Sequence, residues 1–188
     1  MKDDVIVADT PKGRARAGRQ AGLVTAGRLW KHATLADLDG LVTAGDLDDL
    51  FVVTLVRNPW DRLVSYYHWL RMQRFDHPAV DLAKRNDFSG FLNDPQTVSS
   101  VRAFPARAYT SDRTGHDRVT LAARIEALAE DLAPFEAHLG FRLTPLARAN
   151  PSNRPRDWRG LYSDRDASLV ADLCAEDIAR FGYRFYGE

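Results

Sequence analysis

The chain has 188 residues, with 26 Lys+Arg against 26 Asp+Glu and 45% hydrophobic residues. That length and mix suit one soluble domain with a sizeable core, and a formal net charge of zero argues against binding polyanions by bulk charge. A single cysteine, Cys174, excludes an intramolecular disulfide and a thiolate metal cluster, and no apolar run reaches the roughly 18 residues a membrane-spanning helix needs.

In chain order, Val5-Ile6-Val7 reads as a short strand. Residues 12–28 then mix Gly and Ala with Lys12, Arg14, Arg16, Arg19 and Arg28 and have little to bury, which predicts a mobile basic loop. Thr34 is placed to cap a short helix over Thr34-Leu35-Ala36-Asp37-Leu38, and a second short helix is expected near Thr43. Phe51 to Val56 is a continuous apolar run, the pattern of a strand covered on both faces in a parallel sheet. Asn58 and Pro59 then suit the cap and first position of a helix whose apolar face is Trp60, Leu63, Val64, Tyr67 and Leu70. A short helix over Phe88 to Leu92 is stopped by Pro95. Val119 to Ile125 reads as strand by its β-branched residues, though the amphipathic stretch Leu128 to Leu139, closing at Gly140, leaves its type open. Residues 145–160 form a loop. A last helix from Asp166 to Phe181, with Cys174 as a small buried residue, ends at Gly182, and Tyr183-Arg184-Phe185 closes the fold in extended form. No repeat or internal boundary appears, so 1–188 reads as a single domain.

The chemistry concentrates where the central strand meets its helix. Ligands of open α/β sheets collect at the carboxyl ends of strands, which is where Arg57 stands. The helix beginning at Pro59 aims its N–H groups and positive dipole end at the same place, and Ser65 lies about two turns on. A guanidinium fork and a serine hydroxyl can converge there on one phosphate. The competing reading is structural: Arg57 paired with Asp61, or capping a loop. The near-absence of lysine (Lys2, Lys12, Lys31 and Lys84) fits selection for bidentate anion binding or mere genome composition.

The wider string LVRNPWDRLVSYYHWL resembles a motif of sulfotransferases that use 3′-phosphoadenosine 5′-phosphosulfate, of the family-2 type and similar to the heparan sulfate 2-O-sulfotransferase branch. That motif runs roughly V-R-(N/D)-P-x-x-R-x-x-S-x-Y, and Arg57, Pro59, Arg62, Ser65 and Tyr67 match it. Arg124-Ile125-Glu126 with Asp131 and Leu139-Gly140, and Asp177 to Tyr183, are similar to its later segments. The resemblance implies a three-layer P-loop-like α/β fold, with a mainly parallel central sheet flanked by helices. It implies that Arg57 and Ser65 bind the 3′-phosphate of the nucleotide, without a metal. His32 stands where that branch has its general base, a role neutral imidazole suits; a capping or packing histidine is the alternative. His68, His77, His116 and His138 lack ligand spacing for zinc.

The family's phosphosulfate loop, a strand followed by a proline, lysine and glycine-threonine turn, has no match here. Val5 to Gly13 imitates it with Lys12, but Arg14 and Arg16 stand where glycine and a hydroxyl residue are needed. The expectation is therefore a domain incomplete at its N-terminus. The function expected is sulfuryl transfer to a hydroxyl, with carbohydrate as the implied acceptor and Trp69, Arg71, Arg74 and His77 as cleft or plain surface. A non-catalytic nucleotide-binding descendant is the first alternative. A nucleic-acid-binding module using 12–28 is the second, opposed by zero net charge and the absence of an aromatic array in the sequence. A cytoplasmic protein is the default, since no secretory segment follows Met1.

Overall fold

The structure, a computed structural model, describes residues 10–30, 32–143, 145–146 and 157–186. The elements in chain order are α1 (Pro11–Gln20), α2 (Ala44–Asp49), β1 (Val53–Val56), α3 (Pro59–Met72), α4 (Pro78–Arg85), α5 (Phe88–Asn93), α6 (Pro95–Ala103), α7 (Arg107–Thr110), β2 (Leu121–Arg124), α8 (Leu128–Asp131), α9 (Ala133–Leu139), α10 (Asp164–Leu173) and α11 (Ala175–Phe181). Among the described residues β1 and β2 form one two-stranded parallel sheet, so the protein is mixed α/β and mostly helical. A clear three-layer arrangement around a mainly parallel sheet is not what these elements make. The physical reason begins in β1 itself. Leu55 is 51% exposed while Val56 is buried, so this strand is not covered on both faces as the apolar run suggests. The strand expected at Val5-Ile6-Val7 lies outside the described residues.

The chain divides into two compact units, Met1–Thr54 with Ala106–Ala122, and Leu55–Pro105 with Ala123–Glu188. In the first, α1 stands where the sequence suggests a loop. Thr10 starts it: its hydroxyl accepts from the Gly13 N–H at 3.0 Å, and Pro11 takes the position where a missing N–H costs nothing. Alanine and arginine then sustain the helix by propensity alone. Thr34 closes a local ring with Asp37 Oδ2 through its N–H and hydroxyl, at 2.8 and 2.9 Å, ahead of a 3-10 turn over Ala36–Leu38. Thr43 and Asp46 make a full capping box for α2, as the position of Thr43 suggests.

The second unit holds the main core. Every residue of the predicted α3 face, Trp60, Leu63, Val64, Tyr67 and Leu70, is buried there, beside Val80, Leu82 and Ala83 of α4 and Phe88, Phe91 and Leu92 of α5. The sequence reading passes over α4, whose cap is unusual: His77 Nδ1 accepts from the Ala79 N–H at 3.2 Å. The expected helix over Phe88 to Leu92 is α5, which ends at Asn93 ahead of Pro95; Pro95 also begins α6, because Asp94 Oδ1 accepts from the Gln96 N–H at 2.8 Å. The expected helix over Leu128 to Leu139 is broken into α8 and α9, since Pro134 has no N–H to continue the ladder. The last helix is likewise two, α10 and α11, interrupted at the buried Cys174. Gly140 and Gly182 end α9 and α11 with φ of 73° and 69°, a conformation that favours glycine. Tyr183 to Phe185 form no strand, but the Phe185 ring packs edge-on against Trp60, Trp158 and Tyr162.

Candidate functional site

The carboxyl end of β1 delivers Arg57 to the start of α3. Its Nε and Nη2 both reach Asp61 Oδ2, at 2.7 and 2.6 Å, with the arginine side chain 23% exposed. The structural pairing anticipated for Arg57 is therefore present. It does not exhaust the guanidinium, which has five N–H donors and spends two of them on one oxygen. Asp61 and Ser65 are four residues apart on α3 and so share a face, which sets the Arg57 head group one helical turn from the half-buried Ser65. The Ser65 hydroxyl makes no hydrogen bond among the described residues.

The first turn of α3 is already capped. Asn58 Oδ1 accepts from the N–H groups of Trp60 and Asp61, at 3.1 and 3.5 Å, and Asn58 Nδ2 donates to Arg184 O at 3.2 Å. The Asn58 N–H donates to Glu126 Oε1 at 2.7 Å. An internal carboxylate thus sits against the backbone beside Arg57, where the sequence suggests N–H groups open to a ligand. The other oxygen of Glu126 accepts from Tyr183 OH at 3.3 Å, and burial first, then this negative charge, pushes the Tyr183 hydroxyl above its ordinary pKa. Next to Glu126, Arg124 forks onto Asp131 at 2.8 and 2.9 Å and adds its backbone N–H at 2.8 Å, which holds the Asp131 carboxyl below its usual range. The motif-like segments around Arg57, Arg124 and Tyr183 therefore meet in one hydrogen-bonded cluster of the second unit.

Two anchors fix α3 beneath that cluster. Trp60 Nε1 donates to Ala167 O at 2.9 Å, and Tyr162 OH donates to Trp60 O at 2.8 Å. Arg62, the second arginine of the motif, faces elsewhere: its Nη1 is 4.0 Å from the buried Asp177 and its Nη2 is 3.8 Å from Cys174 Sγ, on the wall of a cavity of about 240 Å³. Burial pushes the Cys174 thiol up and Asp177 adds to it, with Arg62 opposing.

His32 belongs to the first unit, exposed, with its ring edge-on to Trp30 at 4.8 Å. Arg57 and Ser65 belong to the second. Lys12 is exposed on α1. Trp69 is half-buried, and Arg71, Arg74 and His77 are exposed. In the sequence Asp61 is only a rival to ligand binding at Arg57, yet its four-residue spacing from Ser65 is the signal for a shared helix face. Nothing in the sequence signals that Glu126 reaches Asn58 across 68 residues. Among the described residues no group of three or more His, Cys, Asp or Glu side chains could hold a metal ion, and no helix is long and apolar enough to cross a membrane. No family model, no curated protein and no solved structure matches the chain.

Proposed function

We propose that this protein transfers a sulfuryl group from 3′-phosphoadenosine 5′-phosphosulfate to an acceptor hydroxyl, with carbohydrate as the acceptor class, on a fold related to the three-layer P-loop-like type. One observation carries the reading: β1 hands over to α3 through Arg57, whose guanidinium is tied to Asp61 one turn from Ser65 on the same helix face. In this reading the Asp61 pair orients the fork, the remaining donors of Arg57 take the 3′-phosphate, and Ser65 adds one hydroxyl donor.

The acceptor oxygen attacks sulfur in line. The new O–S bond forms as the bond from sulfur to the bridging phosphate oxygen breaks, and that electron pair leaves with adenosine 3′,5′-bisphosphate. The acceptor proton passes to a general base as the new O–S bond forms. Positioning and fixed positive charge supply most of the acceleration, as in phosphoryl transfer.

A nucleotide-binding protein without transfer activity is the second reading, and α1 favours it. Lys12 and Gly13 belong to a helix whose Gly13 N–H is already taken by Thr10, so they do not form a phosphate-cradling loop. Calorimetric titration with adenosine 3′,5′-bisphosphate tests what the two readings share. Arg57→Ala is expected to abolish binding, and Ser65→Ala to weaken it about tenfold, the loss of one hydrogen bond to a charged group. Unchanged binding by a folded Arg57→Ala chain would overturn both. Transfer of labelled sulfate to a glycan then separates enzyme from binder.

A further inference from the structure

Much of the positive charge of the first unit is concentrated in one segment that nucleotide binding does not use. From Thr10 to Ala36 the sequence carries Lys12, Arg14, Arg16, Arg19, Arg28 and Lys31 and no acidic residue, a local charge of +6 in a chain whose formal total is zero. Counting the two flanking acids, Asp9 and Asp37, still leaves 6 − 2 = +4. Charges are screened beyond about 8 Å at physiological salt, so such a segment acts by its own charge rather than by that of the whole molecule. Lys12 and Arg19 are both exposed on α1 and, being seven residues apart, share one face of it.

The same segment holds apolar side chains out to water. Val24 is 91% exposed, and Leu23 and Trp30 are exposed with it. The backbone beneath Val24 is pinned. The Leu23 N–H donates to Gln20 O at 3.0 Å in the turn that leaves α1, the Ala26 N–H to Asp39 O at 2.9 Å, and the Gly27 N–H to Asp37 O at 3.2 Å. Gly40, with φ of 94°, lies so near Val24 O that a Cβ there would collide with it. Arg28 lies over the Trp30 ring at 5.3 Å, which sets a cation and an indole at one point of the surface. Aliphatic and indole side chains held in water among cations are what a segment lying in a membrane interface presents.

We infer that this segment docks the protein on the surface of an anionic lipid bilayer. Its lysine and arginine side chains pair with headgroup phosphates, Leu23 and Val24 enter the boundary with the acyl chains, and Trp30 sits at headgroup level. Charge complementarity names this occupant, and the remainder of the chain, at 0 − 6 = −6, is repelled by the same field and stays on the water side. A nucleic acid would use the cations but offers nothing to an aliphatic valine. Trp30 and His32 also stand edge-on, at 79°, where a single strand needs ring faces on which its bases stack. The inference goes beyond the sulfuryl-transfer reading and does not rest on it.

The test mixes the full chain with sedimentable vesicles of phosphatidylcholine alone, or of phosphatidylcholine and phosphatidylglycerol in equal parts, and follows both sedimentation and tryptophan emission. Titration with an oligothymidylate runs beside it. The mixed vesicles are expected to bind the chain saturably, with a blue shift of emission that Trp30→Phe diminishes, and the neutral vesicles at least about tenfold more weakly. Val24→Ser is expected to weaken binding to the mixed vesicles about tenfold, and Lys12→Gln and Arg28→Gln about threefold each. All three side chains are exposed, so the variants keep the fold. Absence of binding to the mixed vesicles, full affinity in Val24→Ser, or unchanged affinity in both charge variants would each overturn the inference. Tighter binding of the oligothymidylate would do the same in favour of nucleic acid. A dimer in solution, seen by light scattering and lost in Val24→Ser, would give the surface to a second copy of the chain instead.

Discussion

Helices α1 and α3 both start with a capping side chain followed by proline, Thr10-Pro11 in one and Asn58-Pro59 in the other. Beyond the first turn they diverge. From Pro59 to Leu70, α3 buries seven residues, namely Pro59, Trp60, Asp61, Leu63, Val64, Tyr67 and Leu70, and it is tied to distant segments through Trp60, Asn58 and Tyr162. Over its ten residues α1 has no large apolar side chain and two glycines, so local terms, its cap and its propensity, must hold it. The difference teaches that a cap decides where a helix begins, while burial decides whether the rest of the protein depends on it.

The largest effect expected from that contrast is in the core. Leu70→Ala, at a side chain 1% exposed, is expected to cost about 2–5 kcal/mol in chemical denaturation. Ala15→Ser, on the exposed side of α1, should shift the same transition by no more than about 0.5 kcal/mol. A Leu70→Ala loss below about 1 kcal/mol would mean that α3 is not the centre of the core.

That asymmetry also explains what the sequence made legible. The α3 face was readable because five apolar residues repeat at helical spacing, and burial follows such a period. The helix α1 is hidden because its sequence has no apolar period, and only the Thr10-Pro11 pair marks its start. Pro95 marks a stop and a start together: α5 ends at Asn93, and Asp94 can cap the helix that follows. At the site, Arg57 and Ser65 could be placed from strand, cap and helix alone. The Glu126 contact could not, because nothing local links it to Asn58.

A second effect comes from the anchor on α3. Burial pushes the Tyr162 hydroxyl, which donates to Trp60 O, well above its ordinary pKa, so the folded state favours the protonated phenol. Its contribution is complete below about pH 10, the value in the unfolded chain, and is lost as pH rises beyond that, at up to about 1.4 kcal/mol per pH unit. Tyr162→Phe should make that alkaline decline shallower, with Tyr183 still contributing because its hydroxyl is raised in the same direction. Denaturation midpoints from pH 9 to about pH 11 give the slopes, and identical slopes in the two proteins would remove Tyr162 as the source. The tyrosine-free α1 offers no such route.

The caps come next and compare the two helices directly. Asn58→Ala removes an acceptor for two N–H groups and the donor to Arg184 O, and should cost about 1–2 kcal/mol of global stability. Thr10→Ala removes an equivalent acceptor at α1 but should appear as lost helical circular dichroism with little change in the unfolding midpoint. Equal global losses would erase the distinction between the helices and show that the first unit unfolds only with the rest.

Gly18→Ala is the smallest change and the sharpest comparison, because it adds to α1 without touching a neighbour. A Cβ at Gly18 meets nothing within 4 Å, and Gly18 is not among the glycines with positive φ. The substitution therefore changes only the entropy given up when the residue becomes helical, a gain of about 0.5–1 kcal/mol for α1. If α1 is held by local terms, the gain appears as slower amide exchange from Ala15 to Gln20 and as more helical signal, while the global midpoint stays within error. Were the midpoint to rise by the whole amount, α1 would be unfolding together with the core, and the contrast with α3 would lie in chain composition alone rather than in what each helix supports.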